Sequence, residues 1–435
     1  MRKSRRKSWS ASLLIVLGCL STAPAKANGF QLKSLLGLAD WIDLGISYNT
    51  EPMAVIMGGK DPSANSFFQF VAIDLDFSTG FKKKPSEWQE IDHWMLNFEV
   101  SQLNGNINFQ EKIGAAFAPQ ASASPVGTWL TEAHISREPG ESRWSMQAGI
   151  MSINNNLLAI EAYNFYNTST INNNYNVNNT GFPINPIITA GLQFALHDHQ
   201  WGELRYGYFD LDQENEISSW LGVDLAQPKL GGSYQGLQWT VDLQQSWTAL
   251  SHDIPISGGD NTIPRLLPSP SGQLGGYIAD VNIQGNEQIK LQNGDGLSRG
   301  VYLATTLAID LPIGLDNRIW AAGAFALDDN NPTPTYFALG LLSQGVVSAR
   351  EEDVLALGFS RTSMPWSQGY VPPLPTYEGV IELNYTIQVN ENIQFQPQMQ
   401  WIINPGGGNG GAGGMPTPQE SGLPASQSTW QSEKD

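Results

Sequence analysis

The sequence predicts an all-β chain: a transmembrane antiparallel β-barrel of about sixteen strands, with long loops on one side and short turns on the other. Three observations predict it. First, fourteen runs of roughly 8 to 12 residues alternate apolar and polar side chains. A strand sends successive side chains to opposite faces, so each run has one greasy and one wet face. Such lengths match the ~9–11 residues of a tilted spanning strand rather than the ~5–6 usual in soluble sheets. Second, Trp94, Trp129, Trp144, Trp201, Trp247 and Trp401 lie near run ends, as interfacial aromatic girdles do. Third, connections alternate in length. "REPGES" and "VNEN" contrast with the stretches 151–187 and 248–298.

Composition agrees. Charged residues make up 15% of the 435 residues, with 44 glycines, 14 tryptophans and a mean hydropathy of −0.24. Soluble domains carry about 25% charge. The formal charge of −18 argues against nucleic acid and anionic membrane surfaces as partners.

Residues 1–27 read as an export leader. "MRKSRRK" is basic, Leu13–Leu20 is a short apolar core, and Ala25–Ala27 is a small-x-small cleavage site. Its removal takes six basic residues and moves the charge from −18 to −24. The single cysteine, Cys19, lies within this leader. A lipoprotein signal is the rival reading, but "VLGC" has bulky Leu17 where a small residue is usual. A mature chain without thiols has no disulfide and must be held by its sheet.

Residues 28–41 form a short amphipathic segment, centred on "LKSLLGLADWI". The barrel domain spans 42–403. Its runs lie near 42–50, 67–77, 94–102, 128–136, 143–150, 188–196, 203–211, 237–247, 300–310, 318–327, 336–344, 353–360, 377–388 and 393–403. Weaker candidates lie near 53–58 and 218–225. The last two runs form a hairpin. Tyr377, Ile381, Leu383, Tyr385 and Ile387 oppose Glu378, Glu382, Asn384 and Thr386. Then Ile393, Phe395, Met399 and Trp401 oppose Gln394, Gln396, Gln398 and Gln400. Pro397 cannot donate to a ladder, so a closed barrel is expected to need a bulge there. Residues 152–185 are asparagine-rich and suit a constriction or an outer surface. Residues 404–435 are Gly/Pro/Ser-rich and read as a disordered tail.

Signals for enzymatic chemistry are poor, and the chain reads as a non-enzyme needing no cofactor and no metal. "HDH" at His197–His199 has metal-like spacing but no evident third ligand. A lipase site on a barrel wall would need a serine beside a histidine, and His134, with Glu132 at the same parity, is the wall histidine the pattern places. Neutral hydrogen-bonding linings suit hydroxyl-rich solutes, whereas rings of charge select ions. The candidate pore-lining residues are Glu99, Glu132, Glu203, Arg205, Asp242, Glu378, Glu382, Asn384, Gln394, Gln396, Gln398 and Gln400. Phe209 and Tyr302 share the polar parity and would either stack on sugar rings or fill space against inserted loops.

The stretch "YEGVIELNYTIQVNENIQFQPQMQWIINPGG" resembles the C-terminal hairpin of the carbohydrate-selective outer-membrane porins of OprB type. An acidic E-x-x-x-E-x-x-Y strand maps to Glu378, Glu382 and Tyr385. The Q-P-x-x-Q-aromatic-I-x-N-P-G-G strand maps to Gln396, Pro397, Gln400, Trp401, Ile403, Asn404 and Pro405. "NNTGFPINPIITAGLQFAL" (Asn178–Leu196), "ELRYGYFDLDQ" (Glu203–Gln213) and "WIDLGISYNTEP" (Trp41–Pro52) look like earlier parts of the same family. The resemblance implies a barrel of about sixteen strands and passive diffusion of sugars and other small hydrophilic solutes across the outer membrane of a Gram-negative-type bacterium. Outer-membrane lipid would then be a partner, and the chain a monomer or a trimer. The family's constriction arginines have no match here. A further strand usually follows the N-P-G-G turn; here it is missing, supplied from elsewhere in the chain, or lost. The alternative is a secreted or surface β-rich carbohydrate-binding protein that is soluble.

Solubility separates the two. The barrel partitions with outer membranes and needs detergent to stay dispersed, and recovery as a soluble monomer in plain buffer would refute it.

Overall fold

The computed structural model describes residues 11–16, 36–79, 92–105, 108–120, 126–139, 142–153, 156–172, 188–198, 200–210, 232–243, 253–255, 262–281, 297–328, 331, 333–363, 377–390 and 392–408. Strand β1 spans Ala11–Val16, β2 Ile42–Met57, β3 Asn65–Ser78, β4 His93–Gly105, β5 Gly127–Glu138 and β6 Trp144–Met151. Then come β7 Thr189–Asp198, β8 Gly202–Asp210, β9 Gly232–Asp242, and the short pair β10 Asp253–Pro255 and β11 Thr262–Pro264. The series ends with β12 Ser271–Val281, β13 Leu297–Ala308, β14 Asp316–Ala326, β15 Thr335–Gln344, β16 Val354–Ser363, β17 Tyr377–Asn390, β18 Ile393–Phe395 and β19 Gln398–Ile403.

The large sheet has 17 strand segments, and its pairings are antiparallel throughout the described residues. The pieces β18 and β19 both pair with β17 and are two parts of one strand, so the wall has sixteen strands. The pair β10–β11 stands apart, and β9 joins β12 directly. At the other seam β1 lies antiparallel between β19 and β2. The pairings thus return to their start. The segment at this seam belongs to the stretch that reads as a leader.

Several local expectations change. The runs near 42–50 and 53–58 are one 16-residue strand, β2. Run 218–225, Trp247 and residues 32–35 of the amphipathic piece lie outside the described residues. Of the tail, residues 404–408 form a tight turn, with Asn404, Gly406 and Gly407 at positive φ. At Pro397 the ladder is interrupted without a bulge. Phe395 faces Ile387 and Gln398 faces Asn384, which keeps one register across the gap. The Pro397 carbonyl still accepts from the Tyr385 amide at 3.0 Å. The register shift falls instead at Gln388–Asn390, beside the turn.

The outer face is apolar and open. Leu96, Phe98, Val100, Leu237, Trp239, Leu274, Leu303 and Leu357 are all exposed, on strands right around the wall. A soluble monomer rarely shows an apolar patch beyond a few hundred Å²; this belt is suited to lipid, not water. Among the described residues nothing favours the soluble alternative. Near one rim, Trp41, Trp94 and Trp201 are exposed. Arg137 lies 3.7 Å over the Trp144 ring, which stacks on Phe194.

The inner face carries an aromatic layer: Phe209, Tyr234, Tyr277, Tyr302, Trp320 and Tyr336 are all buried. Tyr234 stacks on Tyr277 at 5.9 Å. These rings lie along the wall because the residue opposite is often glycine. Gly275 pairs with Tyr302, Gly300 with Tyr277 and Gly191 with Phe209. A Cβ at any of the three would overlap the facing ring.

Gly275→Ala should therefore cost about 1–3 kcal/mol through overpacking, read as a lower temperature for loss of the folded, heat-modifiable gel band. Gly276→Ala, where a Cβ meets only ordinary contacts, should stay within about 0.5 kcal/mol. Equal effects at both positions would contradict the ring-over-glycine packing.

Candidate functional site: the lumen wall and its inserted loops

Two connections on the long-loop side turn inward. The one after β4 carries a short helix, Phe109–Ile113, whose Phe109 and Ile113 are buried. They pack with Met53, Ala64, Val380 and Ile402, bridging β17, β19 and β2. The connection after β6 enters as the described part of the asparagine-rich segment. Its Ile153, Leu157, Tyr163, Tyr166 and Ile171 are buried and join the aromatic layer. Tyr163 and Tyr166 meet Trp320 edge-on at 5.5 and 5.4 Å. The Tyr166 hydroxyl donates to the Leu357 carbonyl at 3.0 Å and accepts from Trp320 Nε1 at 3.1 Å. Burial raises both tyrosine pKa values well above the usual phenol range, so these hydroxyls stay neutral donors. The two loops also touch each other: the Ser169 amide and hydroxyl both donate to the Ala118 carbonyl, at 3.1 and 2.7 Å.

The acidic strand and the glutamine strand lie behind these loops. Glu378 is 2% exposed and accepts from the amides of Ala116, Phe117 and Gly406 at 2.7, 3.2 and 2.7 Å. Glu382 is 0% exposed and accepts from the amides of Asn167 and Thr168 at 2.7 and 2.9 Å, and from Asn384 Nδ2 at 2.7 Å. Asn384 and Gln396 both donate to the Phe165 carbonyl. Gln400 donates to the Pro119 carbonyl at 2.8 Å and to Gln398. Gln394 is half-buried and donates to Gln388. Both hairpin strands thus turn most of their polar face to loop backbone. A carbohydrate-stacking role for Phe209 and Tyr302 meets the same obstacle, since both are 0% exposed.

The wall formed by β2 to β5 differs. Asp74 faces Glu99 and Glu99 faces Glu132 in register across three strands, with Asp43 opposite Asp76 beside them. All five carboxylates are half-buried. Asn97 donates to Asp76 at 2.8 Å, and Ser101 and Thr131 donate to Glu99. His134 lies 3.8 Å from Glu132.

Glu203 and Arg205 are half-buried and bonded to each other at 2.8 Å, and Asp242 is exposed at the end of β9. The pattern missed His197 as a wall residue. Its Nε2 lies 2.9 Å from Ser145 Oγ and its Nδ1 lies 3.2 Å from Glu203. The serine beside a histidine is therefore Ser145 at His197, not at His134. Ser145 is buried and Glu203 is shared with Arg205, so the group ties β6, β7 and β8 together. His199 lies outside the described residues. Among the described residues no group of three or more metal-ligating side chains converges. Two further arginines, Arg318 and Arg265, were not singled out by the pattern. Arg318 is 0% exposed, held by Asp316 at 2.6 Å and by the Pro268 carbonyl at 2.7 Å, and Arg265 pairs with Asp316.

A sixteen-stranded barrel with an apolar outside, a polar inside and loops folded into its lumen is the architecture of an outer-membrane porin. The family model of the carbohydrate-selective porins, OprB family, matches residues 87–413, and the chain belongs to that family. The high-pH structure of Pseudomonas putida OprB is 13% identical, with 85% of this chain and 95% of that one covered and a TM-score of 0.58. That likeness shows the fold. The low-pH structure of the same protein is 11% identical over 90% and 91%, with a TM-score of 0.40. Salmonella typhi OmpF in complex with daunomycin is 10% identical over 84% and 98%, with a TM-score of 0.46. No curated protein matches.

Tyr166→Phe removes the hydroxyl that joins the second loop to β14 and β16. The loss should weaken the attachment by about 1–3 kcal/mol and speed protease cleavage within 152–172 while the barrel band keeps its heat stability. Unchanged cleavage would contradict the loop's dependence on that hydroxyl.

Proposed function

We propose that this porin passes carbohydrates and other small hydrophilic solutes across the outer membrane by passive diffusion, with no cofactor and no chemical step. The observation that carries the reading is the contrast between the two sides of the lumen. On β17 and β19 most of the polar side chains are taken up by inserted loops, while Gln394 on β18 bonds Gln388. On β2 to β5 the carboxylates Asp43, Asp74, Asp76, Glu99 and Glu132 remain half-buried, although Glu51, Ser101, Thr131 and His134 on the same strands are buried. The passage therefore runs between loops that narrow it and a wall rich in carboxylates, hydroxyls and amides. Glu99 and Glu132 line it directly. Glu203, Arg205, Asp242 and Gln394 lie further along the polar face. Glu378, Glu382, Asn384, Gln396, Gln398 and Gln400 act on it through the loops they bind. Carboxylates accept, and amides donate and accept, hydrogen bonds with sugar hydroxyls.

The same proposal includes export by a leader cleaved after Ala27, read from the basic, apolar and small-x-small pattern of residues 1–27. Its removal would take β1 away from the seam between β19 and β2.

Single-channel conductance in planar bilayers tests the function. The expected result is a stable open level that added sugars reduce in a concentration-dependent way. Conductance that no sugar alters would leave a general porin and remove the carbohydrate claim.

A further inference from the structure

The two inserted loops have separate origins in the chain but a common attachment. Glu378 binds the first loop and Glu382 binds the second, one turn of side-chain alternation apart twice over on the same face of β17. Among the described residues neither carboxylate is paired with a cation. Each accepts three N–H groups, four of the six being loop amides at 2.7 to 3.2 Å. The remaining two come from Gly406 and from the Asn384 side chain. Beside them Gln400 holds Pro119 and Gln396 holds Phe165. The Ser169–Ala118 bonds then join loop to loop.

We propose that Glu378 and Glu382 are positioning residues for the constriction: they hold both loops against β17 as one unit, and so set the width of the passage without touching solute. The assignment rests on the porin reading. It follows from hydrogen-bond capacity. A carboxylate is an acceptor at both oxygens, so it can receive two consecutive backbone amides, as Glu382 does from Asn167 and Thr168. A glutamine in its place turns one oxygen into a donor. That NH₂ group would face an incoming N–H, and one loop amide would lose its partner. The side chains are buried, so the substitution changes loop fixation while leaving the charges exposed to the passage as they are.

The bonds between the loops make a further demand. If the loops form one unit, releasing either carboxylate loosens both. The effects of E378Q and E382Q on conductance then fall short of additive when combined.

The full-length chain, purified from membranes and reconstituted in planar bilayers, provides the test, with E378Q, E382Q and the double variant compared to the parent. The expected result is a higher open level, more open-channel noise and weaker block by a neutral disaccharide in each single variant, with the double variant little beyond either. Heat-modifiable gel mobility reports the folded fraction, and single-channel records sample assembled molecules only. Normal channels with unaltered conductance and block in both single variants would overturn the proposal. Loss of the folded band together with all channels would also overturn it, because the carboxylates would then serve barrel assembly. Failure of the parent chain to form any channel would refute the porin reading itself.

Discussion

Lipid supplies no hydrogen bonds, and that constraint organises the rest of the structure. An unpaired backbone group in hydrocarbon costs several kcal/mol. Each spanning strand therefore needs a neighbour on both sides, and the sixteen-stranded wall provides one, with β1 between β19 and β2. Strand alternation then divides side chains between lipid and lumen. The exposed Leu96, Phe98 and Val100 and the inward Asn97 and Glu99 come from one strand and follow from one rule.

The interior obeys the same demand in a different currency. A barrel of this size leaves space that water or loops must fill, and here two loops fill much of one side. Their backbones bring unpaired amides and carbonyls inside. The β17 carboxylates accept the amides, and Asn384, Gln396 and Gln400 donate to the carbonyls. Burying a carboxylate without a cation costs several kcal/mol after relaxation. Hydrogen bonds to a charged group contribute about 1.5–3 kcal/mol each, so three at Glu378 and three at Glu382 are of the size needed to offset it. The apolar side of the loops meets the aromatic layer, and glycines such as Gly275 and Gly300 make room for those rings. What remains open to solvent is the acidic stretch of β2 to β5.

Much of the wall was legible in the sequence because strand alternation is local. Trp94 to Ser101, Leu237 to Gln244 and the terminal hairpin each show their two faces within a dozen residues. The interior was less legible. Glu378 and Glu382 have the polar parity of a pore lining, yet parity cannot say whether water or a loop covers them. Arg318 and His197 went unplaced because their partners, Asp316 with the Pro268 carbonyl and Ser145 with Glu203, are joined only by folding. Pro397 shows the reverse case. The local rule demands a bulge, but the strand pauses for two residues and resumes in the same register.

The sequence by itself determined the class of fold, the orientation of each strand's two faces and the family, since these depend on period-two patterning and on a contiguous C-terminal motif. Tertiary structure alone decided which connections turn inward, that the glutamine and glutamate strands bind loop backbone, and which segment sits at the seam between β19 and β2. The physical reason is separation along the chain. Glu378 is 262 residues from Ala116, and Glu382 is 215 from Asn167, so the bonds that shape the passage leave no local pattern to read.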